Sequence, residues 1–116
     1  MAQWAIPILQ SLAVRAPSSS PSLLVTNSLL YKYPIPDFFT LSLTKAAQRI
    51  LVETLAKTYK ADGVHIGLIS VGGYVNEEDP DLNSKNIADK TWEFFAQKKE
   101  DWTLDIEILP AQPVVT

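Results

Sequence analysis

The chain contains no cysteine, a single histidine (His65) and only four glycines among its 116 residues. Without cysteine there is no disulfide, no thiolate nucleophile and no cysteine-ligated metal. His65 lies in an apolar run with no second nitrogen ligand to help it, so it reads as a core or strand-end residue rather than a metal ligand. The glycines are Gly63, Gly67, Gly72 and Gly73, and none opens a glycine-rich strand-to-helix turn. Such a turn is what lets backbone N–H groups approach a pyrophosphate at a helix N-terminus. Excess positive charge is also missing: ten Lys and Arg face thirteen Asp and Glu, for a net charge of −3 and a pI near 5.0. Nothing in that balance attracts nucleic acid or an anionic membrane. Long apolar runs are absent too. Met1–Val14 is interrupted by Pro7 and Gln10, closed by Arg15, and not preceded by a basic residue. It falls short of the ~20 residues of a membrane span and of the pattern of a secretory leader. The expectation is a soluble, cytoplasmic protein.

What is present is the composition of a folded domain, 47% hydrophobic and 20% charged, in a length that supports one domain over residues 1–116. Ala2–Ala16 spaces Ile6, Leu9, Leu12 and Ala13 as a helix does, with Pro7 in the first turn or at a kink. Pro17-Ser18-Ser19-Ser20-Pro21 is a loop. Ser22–Ser28 is a short, mostly apolar run that predicts a strand buried on both faces, as in a parallel sheet. After an irregular Tyr- and Pro-rich connection, a helix capped by Asp37 or Thr40 is expected to run to about Lys60. Its buried stripe would be Leu43, Ala47, Ile50, Leu51 and Leu55, with Arg49, Glu53 and Lys57 as a charge ladder outside.

Ala61-Asp62-Gly63 ends that helix, and Val64–Val71 predicts a second buried strand, broken by Gly72-Gly73. The acidic segment Tyr74–Asn83, with Glu77, Glu78, Asp79 and Asp81, lacks the ligand alternation of a calcium loop and reads as solvated. A third helix, capped by Ser84 and reaching about Lys99, would turn Ile87, Ala88, Trp92 and Phe95 inward; Trp92, Phe94, Phe95 and Trp102 read as packing around it, with partial exposure of Trp102 left open. Leu104–Ile108 alternates as a strand with one wet face, and Pro110 onward reads as a frayed tail. Helix and strand alternate three times, which points to an α/β fold with a small parallel sheet of about three strands.

Four of these features coincide with one family. Ser28 ends a strand thirteen positions before Leu41, and Lys45 lies four beyond Leu41 in the long helix. The run Leu41-Ser42-Leu43-Thr44-Lys45-Ala46-Ala47 resembles the Tyr-x-x-x-Lys motif of short-chain dehydrogenases/reductases and its small-residue continuation. Gly63-Val64-His65-Ile66 is similar to the family's next strand, and Gly72-Gly73-Tyr74-Val75 to its Pro-Gly turn. The resemblance spans nearly the whole chain. It implies the C-terminal half of a doubly wound, Rossmann-like fold, with the first four of seven strands absent.

The resemblance also implies roles. Ser28 would bind a substrate carbonyl, Lys45 would be a catalytic and cofactor-binding residue, and Gly73 would approach the cofactor, NAD or NADP. In the family a tyrosine hydroxyl carries the proton while hydride moves, and the lysine lowers that hydroxyl's pKa. Here Leu41 stands at the tyrosine position and has no proton to give. With the cofactor half absent as well, the expectation is a chain that binds no dinucleotide alone and is inactive as a dehydrogenase. The bland readings are a solvated helix lysine for Lys45 and a loop hydroxyl for Ser28, with Tyr31 or Tyr33 as a remote replacement for the missing phenol.

Two functions from different classes follow. One is part of an oxidoreductase whose cofactor half is missing from this chain. The other is a non-catalytic interaction module, because the family builds its dimer on the helices that correspond to residues 2–16 and 40–60. The partner would be a second copy or a full-length relative, and the first strand would be a sheet edge in need of cover.

Overall fold

The computed structural model of the chain describes residues 1–110. Its main elements are α1 (Ala2–Arg15), β1 (Ser22–Ser28), α2 (Phe39–Tyr59), β2 (His65–Val71), α3 (Ser84–Phe95) and β3 (Asp105–Ile108). The strands form one parallel sheet in the order β1-β2-β3. Ser22 lies opposite His65 and Ser28 opposite Val71, while Leu68 lies opposite Asp105 and Val71 opposite Ile108. The α/β architecture with three parallel strands is therefore present, and β1 has the bounds its sequence predicts. The tail expected from Pro110 onward falls, after Pro110, outside the described residues.

Successive side chains of a strand point to opposite faces, and β2 is apolar on both. Val64, Ile66 and Leu68 pack with Ile6 of α1 and Val52 of α2, joined by Leu9, Leu23, Val25, Leu55, Ala56 and Tyr59. On the other face Ile69 meets Phe94 of α3, Leu82 and Ile108, with Leu24, Val71, Ile87 and Ile106 around them. Thus α1 and α2 cover one face of the sheet and α3 the other. β3 shows the expected alternation: Ile106 and Ile108 join the α3 face, while Asp105 and Glu107 meet Arg49 and Lys32 at 2.6 and 3.7 Å.

Several sequence expectations are corrected. Of the two places the sequence allows Pro7, the first turn is excluded: it sits inside α1, past that turn, with its side chain exposed. Neither Asp37 nor Thr40 caps α2: a 3₁₀ turn at Pro36–Phe38 leads into the helix, and Phe38 holds the cap position without a side-chain bond. Asn83, rather than Ser84, caps α3, its Oδ1 accepting the N–H of Asn86 at 2.8 Å, and the helix ends at Phe95 rather than near Lys99.

The larger correction concerns α2. Leu43, Ile50 and Leu51 are 61%, 67% and 57% exposed, and Ala47 is exposed as well. The sheet instead receives a stripe of Ser42, Arg49, Val52 and Ala56 at helical spacing, in which small residues allow close approach. Arg49 belongs to that inward stripe, so only Glu53 and Lys57 remain of the expected outer ladder, 3.7 Å apart. α3 is likewise turned: Phe94 is buried, while Trp92 is 67% and Phe95 39% exposed. Trp102 is buried, in line with its reading as packing around the last helix.

Candidate functional site

In a parallel sheet, ligands are bound where the C-terminal ends of the strands meet the loops that follow. Here that end is formed by Ser28, the β2 terminus running into Gly72-Gly73, and the N-terminal half of α2. One residue ties these parts together, and it carries no family motif. Asn27 is buried at the end of β1; its Nδ2 donates to the Lys45 carbonyl at 3.2 Å and its Oδ1 accepts the Ser28 N–H at 2.7 Å. A single side-chain amide thus locks the strand end to the turn of α2 that bears Lys45. The only signal for it in the sequence is an amide inside an otherwise apolar run.

Ser28 Oγ accepts the N–H of Leu30 at 3.3 Å and so caps the 3₁₀ turn Leu29–Tyr31. Lys45 is half-buried on α2, and one turn earlier Leu41 is 45% exposed. Next to Leu41, Ser42 is buried with a hydroxyl that has no hydrogen-bond partner among the described residues. Leu41, Ser42 and Lys45 thus lie on successive turns of the N-terminal half of α2, beyond the end of β1.

Each loop tyrosine has a cation against its ring. The Arg49 guanidinium lies 4.4 Å from the centre of the Tyr31 ring while Nη1 donates to Asp105 Oδ2 at 2.6 Å. Burial pushes the Tyr31 hydroxyl up from its ordinary range, only partly offset by Arg49, and Asp105 and Glu107 add to the rise. That is the opposite of what a proton donor at neutral pH requires. Tyr33 is 63% exposed, with Lys32 Nζ 5.6 Å from its ring centre.

His65 stands at the other end of the sheet, at the start of β2. Its ring stacks on Trp102 at 4.9 Å and meets Phe94 edge-on at 4.9 Å. Nε2 lies 3.1 Å from the Thr103 carbonyl, which can only accept, so Nε2 carries the proton. Burial pushes the His65 pKa down, the Thr103 hydrogen bond pulls it back up in part, and Lys60 adds to the fall. Nδ1 is buried with no partner among the described residues. His65 also borders a cleft of about 190 Å³ with Glu53, Lys57, Lys60 and Trp102. Among the described residues no three His, Asp or Glu side chains converge as a metal site would require. The acidic segment is a folded turn: Asp79 Oδ1 accepts the N–H groups of Asp81 and Leu82 at 2.8 and 2.9 Å, which lowers the Asp79 pKa.

No family model matches the sequence, and no curated protein matches it. By structure the chain is similar to a short-chain dehydrogenase from Rhodopseudomonas palustris, with a TM-score of 0.64 and 16% sequence identity. The match covers 84% of this chain and 42% of that one, so the chain spans less than half the length of its structural relative. The likeness shows a short-chain-dehydrogenase-like fold.

The sequence resemblance implies a nicotinamide dinucleotide, and among the described residues no glycine-rich strand-to-helix turn of the kind that cradles its pyrophosphate is present: the connection from β1 to α2 contains no glycine, and α2, which begins at Phe39, follows a 3₁₀ turn. Each glycine near the strand ends already faces packed atoms. A Cβ on Gly72 would lie 2.9 Å from Leu109 and 3.0 Å from Leu29, and one on Gly73 2.8 Å from Leu82. Gly73, the expected cofactor contact, is itself exposed, and the one atom near that Cβ is the tip of the Leu82 side chain. No helix among the described residues is long and apolar enough to cross a membrane.

Proposed function

We propose that the chain is a non-catalytic relative of the short-chain dehydrogenases that acts as a cytoplasmic assembly module, pairing with a second copy through α1 and the outer face of α2. The observation that carries this reading is the two-faced character of α2. Val52, Leu55 and Ala56, with Ser42 and Arg49, meet the sheet, while Phe39, Leu43, Ala47, Ile50 and Leu51 form a second apolar stripe on the opposite side. Trp4 and Ile8 of α1, on the same side of the sheet, are 72% and 49% exposed. Among the described residues, ten hydrophobic side chains are buried while seventeen large ones stay exposed, more than a closed monomer needs to leave out. Inactivity is supported by Leu41, which has no proton to transfer. Ser28 and Lys45 then serve as turn cap and helix surface.

Burying a leucine, isoleucine or phenylalanine completely contributes about 1.5–3 kcal/mol, so each side chain of the stripe has roughly 1–2 kcal/mol left to gain. A two-fold pairing counts Ile50 twice. Ile50→Lys is expected to weaken it at least ~100-fold without unfolding an already exposed position. Sedimentation velocity checks this; an oligomer whose affinity ignores Ile50→Lys refutes the proposed interface.

A second reading is favoured by the 42% coverage of the Rhodopseudomonas palustris protein. In it the same α/β unit is completed by a cofactor-binding half on a longer polypeptide. The intact mass of the native product separates the two: about twice 12.9 kDa supports the longer protein, and 12.9 kDa supports the module.

A further inference from the structure

The sheet has two edges, and they are built differently. β3 is four residues long, carries Asp105 and Glu107, and has both carboxylates tied to Arg49 and Lys32. Short length and charge are how proteins blunt an edge against pairing. β1 has seven residues, Ser22 to Ser28, with no charge, no internal proline and apolar side chains on both faces. The N–H of His65 donates to the Pro21 carbonyl, so by alternation Pro21, Leu23 and Val25 address β2. Ser22, Leu24 and Thr26 therefore turn their N–H and C=O groups to the open side. The Ser28 N–H is already taken by Asn27, which leaves a three-residue ladder centred on Leu24.

A second feature lies beside that ladder. The apolar stripe of α3 is wider than the sheet beneath it. Ile87 and Phe94 dock on β2 and β3, while Ala88, Trp92 and Phe95 project past them and form a shallow groove with Leu24 and Thr91. The rings of Trp92 and Phe95 are 5.3 Å apart. The ledge therefore overhangs the side on which β1 is open.

Resting on the reading of this chain as a stand-alone module, we propose that a second copy closes the β1 edge by antiparallel pairing of β1 with β1, with Leu24 at the two-fold axis, Ser22 opposite Thr26 of the mate, and the two Trp92–Phe95 ledges meeting above. This surface is distinct from the α2 face. Strands in a sheet lie about 4.7–4.9 Å apart, so a helix lying over β2 and β3 stands roughly 14–19 Å from its symmetry mate. Helices in direct contact pack at about 8–10 Å. The difference is space above Leu24 that only side chains from the helices can fill, and Trp92 and Phe95 are the large ones pointing there. Groove and filler are on the same chain, which suits a two-fold partner.

Two isologous interfaces on one protomer, with their two-fold axes crossing at right angles, give a closed assembly of four chains. The test is sedimentation velocity of the full chain and of three variants. Trp92→Lys changes an exposed helix position, and Thr26→Pro removes an outward N–H without touching the β1–β2 ladder, so either can fail to fold without silencing the other. Each is expected to convert a four-chain species into a two-chain one. Ile50→Lys alone is expected to leave a two-chain species held by β1, and Ile50→Lys with Trp92→Lys to leave a 12.9 kDa monomer. A monomeric Ile50→Lys chain would mean that the edge is covered by a foreign strand or by nothing, and the β1 pairing falls while the α2 reading stands. A two-chain species broken by Trp92→Lys but not by Ile50→Lys upholds the β1 pairing and sinks the α2 reading. An assembly that ignores both Trp92→Lys and Thr26→Pro overturns the inference.

Discussion

The seat of α3 can be tested at one position, Gly67. A Cβ built there would lie 2.5 and 2.9 Å from Cζ and Cε2 of Phe94 and 2.7 Å from the Leu104 carbonyl oxygen. Ordinary carbon contacts sit near 3.5–4.0 Å, so Gly67→Ala must displace something. Phe94 is 1% exposed and already edge-on to His65, which leaves its ring little room. The Leu104 carbonyl accepts the Leu68 N–H at 2.8 Å, and its retreat would loosen the start of the β2–β3 ladder. Overpacking of about 1–3 kcal/mol and a weakened hydrogen bond of about 0.5–1.5 kcal/mol give a destabilisation of roughly 2–4 kcal/mol. The ~0.5–1 kcal/mol gained by removing a strand glycine does not offset it. With a urea m-value of about 2 kcal/mol per molar, the unfolding midpoint should fall by ~1–2 M. Phe94→Leu removes the ring contacts but not the carbonyl contact. In that background Gly67→Ala should be milder by about 1 kcal/mol or more, measured as a double-mutant coupling. If Gly67→Ala stays within ~0.5 kcal/mol of the parent, the reasoning fails: α3 does not rest on Gly67, and the outward placement of Trp92 loses its basis.

Two further expectations concern buried polar groups. His65 has a folded pKa below its ordinary value, so the unfolded chain takes up the proton first as pH falls. Stability should be level above about pH 6.5 and then decline by up to ~1.36 kcal/mol per pH unit until the folded pKa is reached. His65→Phe keeps a ring against Trp102 and should flatten that decline; equal slopes in urea titrations at pH 7.5 and 5.5 would refute the assignment. Asn27→Ala strips the Ser28 N–H of its partner and the Lys45 carbonyl of a donor, for a loss of about 1–3 kcal/mol. A thermal midpoint unchanged by Asn27→Ala would show that strand end and helix are held otherwise.

What was readable in the sequence follows the range of the forces involved. β1 and β2 are apolar on both faces and β3 alternates, so their place in a parallel sheet and the wet face of β3 were visible locally. The positions of Ser28, Leu41 and Lys45 on strand end and helix came from spacing alone. The facing of α2 and α3 did not, because each carries more apolar surface than three strands can cover. Leu43, Ile50 and Leu51 outweigh Ser42 and Ala56 in hydrophobicity, yet the small residues win the sheet by allowing close approach. Trp92 outranks Phe94 in size but projects past the sheet. Asn27 was hidden for a different reason: one amide in an apolar run has no pattern, and its meaning appears only when α2 folds back over it.

One feature of the topology bears on how the chain folds. The strands are parallel and run β1-β2-β3 in one direction across the sheet, yet α2 lies on one face and α3 on the other. Two crossovers that step the same way on opposite faces must have opposite hands, so one of them is left-handed. Right-handed connections account for about 98% of parallel crossovers because strand twist feeds them back onto the sheet. The β1–α2–β2 unit, with α2 running straight through Lys60–Asp62 into β2, suits that rule. The β2–α3–β3 path has the slack to break it, with a long segment from Gly72 to Asn83 before the helix and a second from Ala96 to Leu104 after it. Chain twist gives that second connection no help, so α3 and β3 depend on what they meet on arrival: the packing of Phe94, the ladder to β2 and the ion pairs of Asp105 and Glu107. They are expected to join a preformed β1–α2–β2 template late, with faster hydrogen exchange than that template, and it is this layer that carries Trp92.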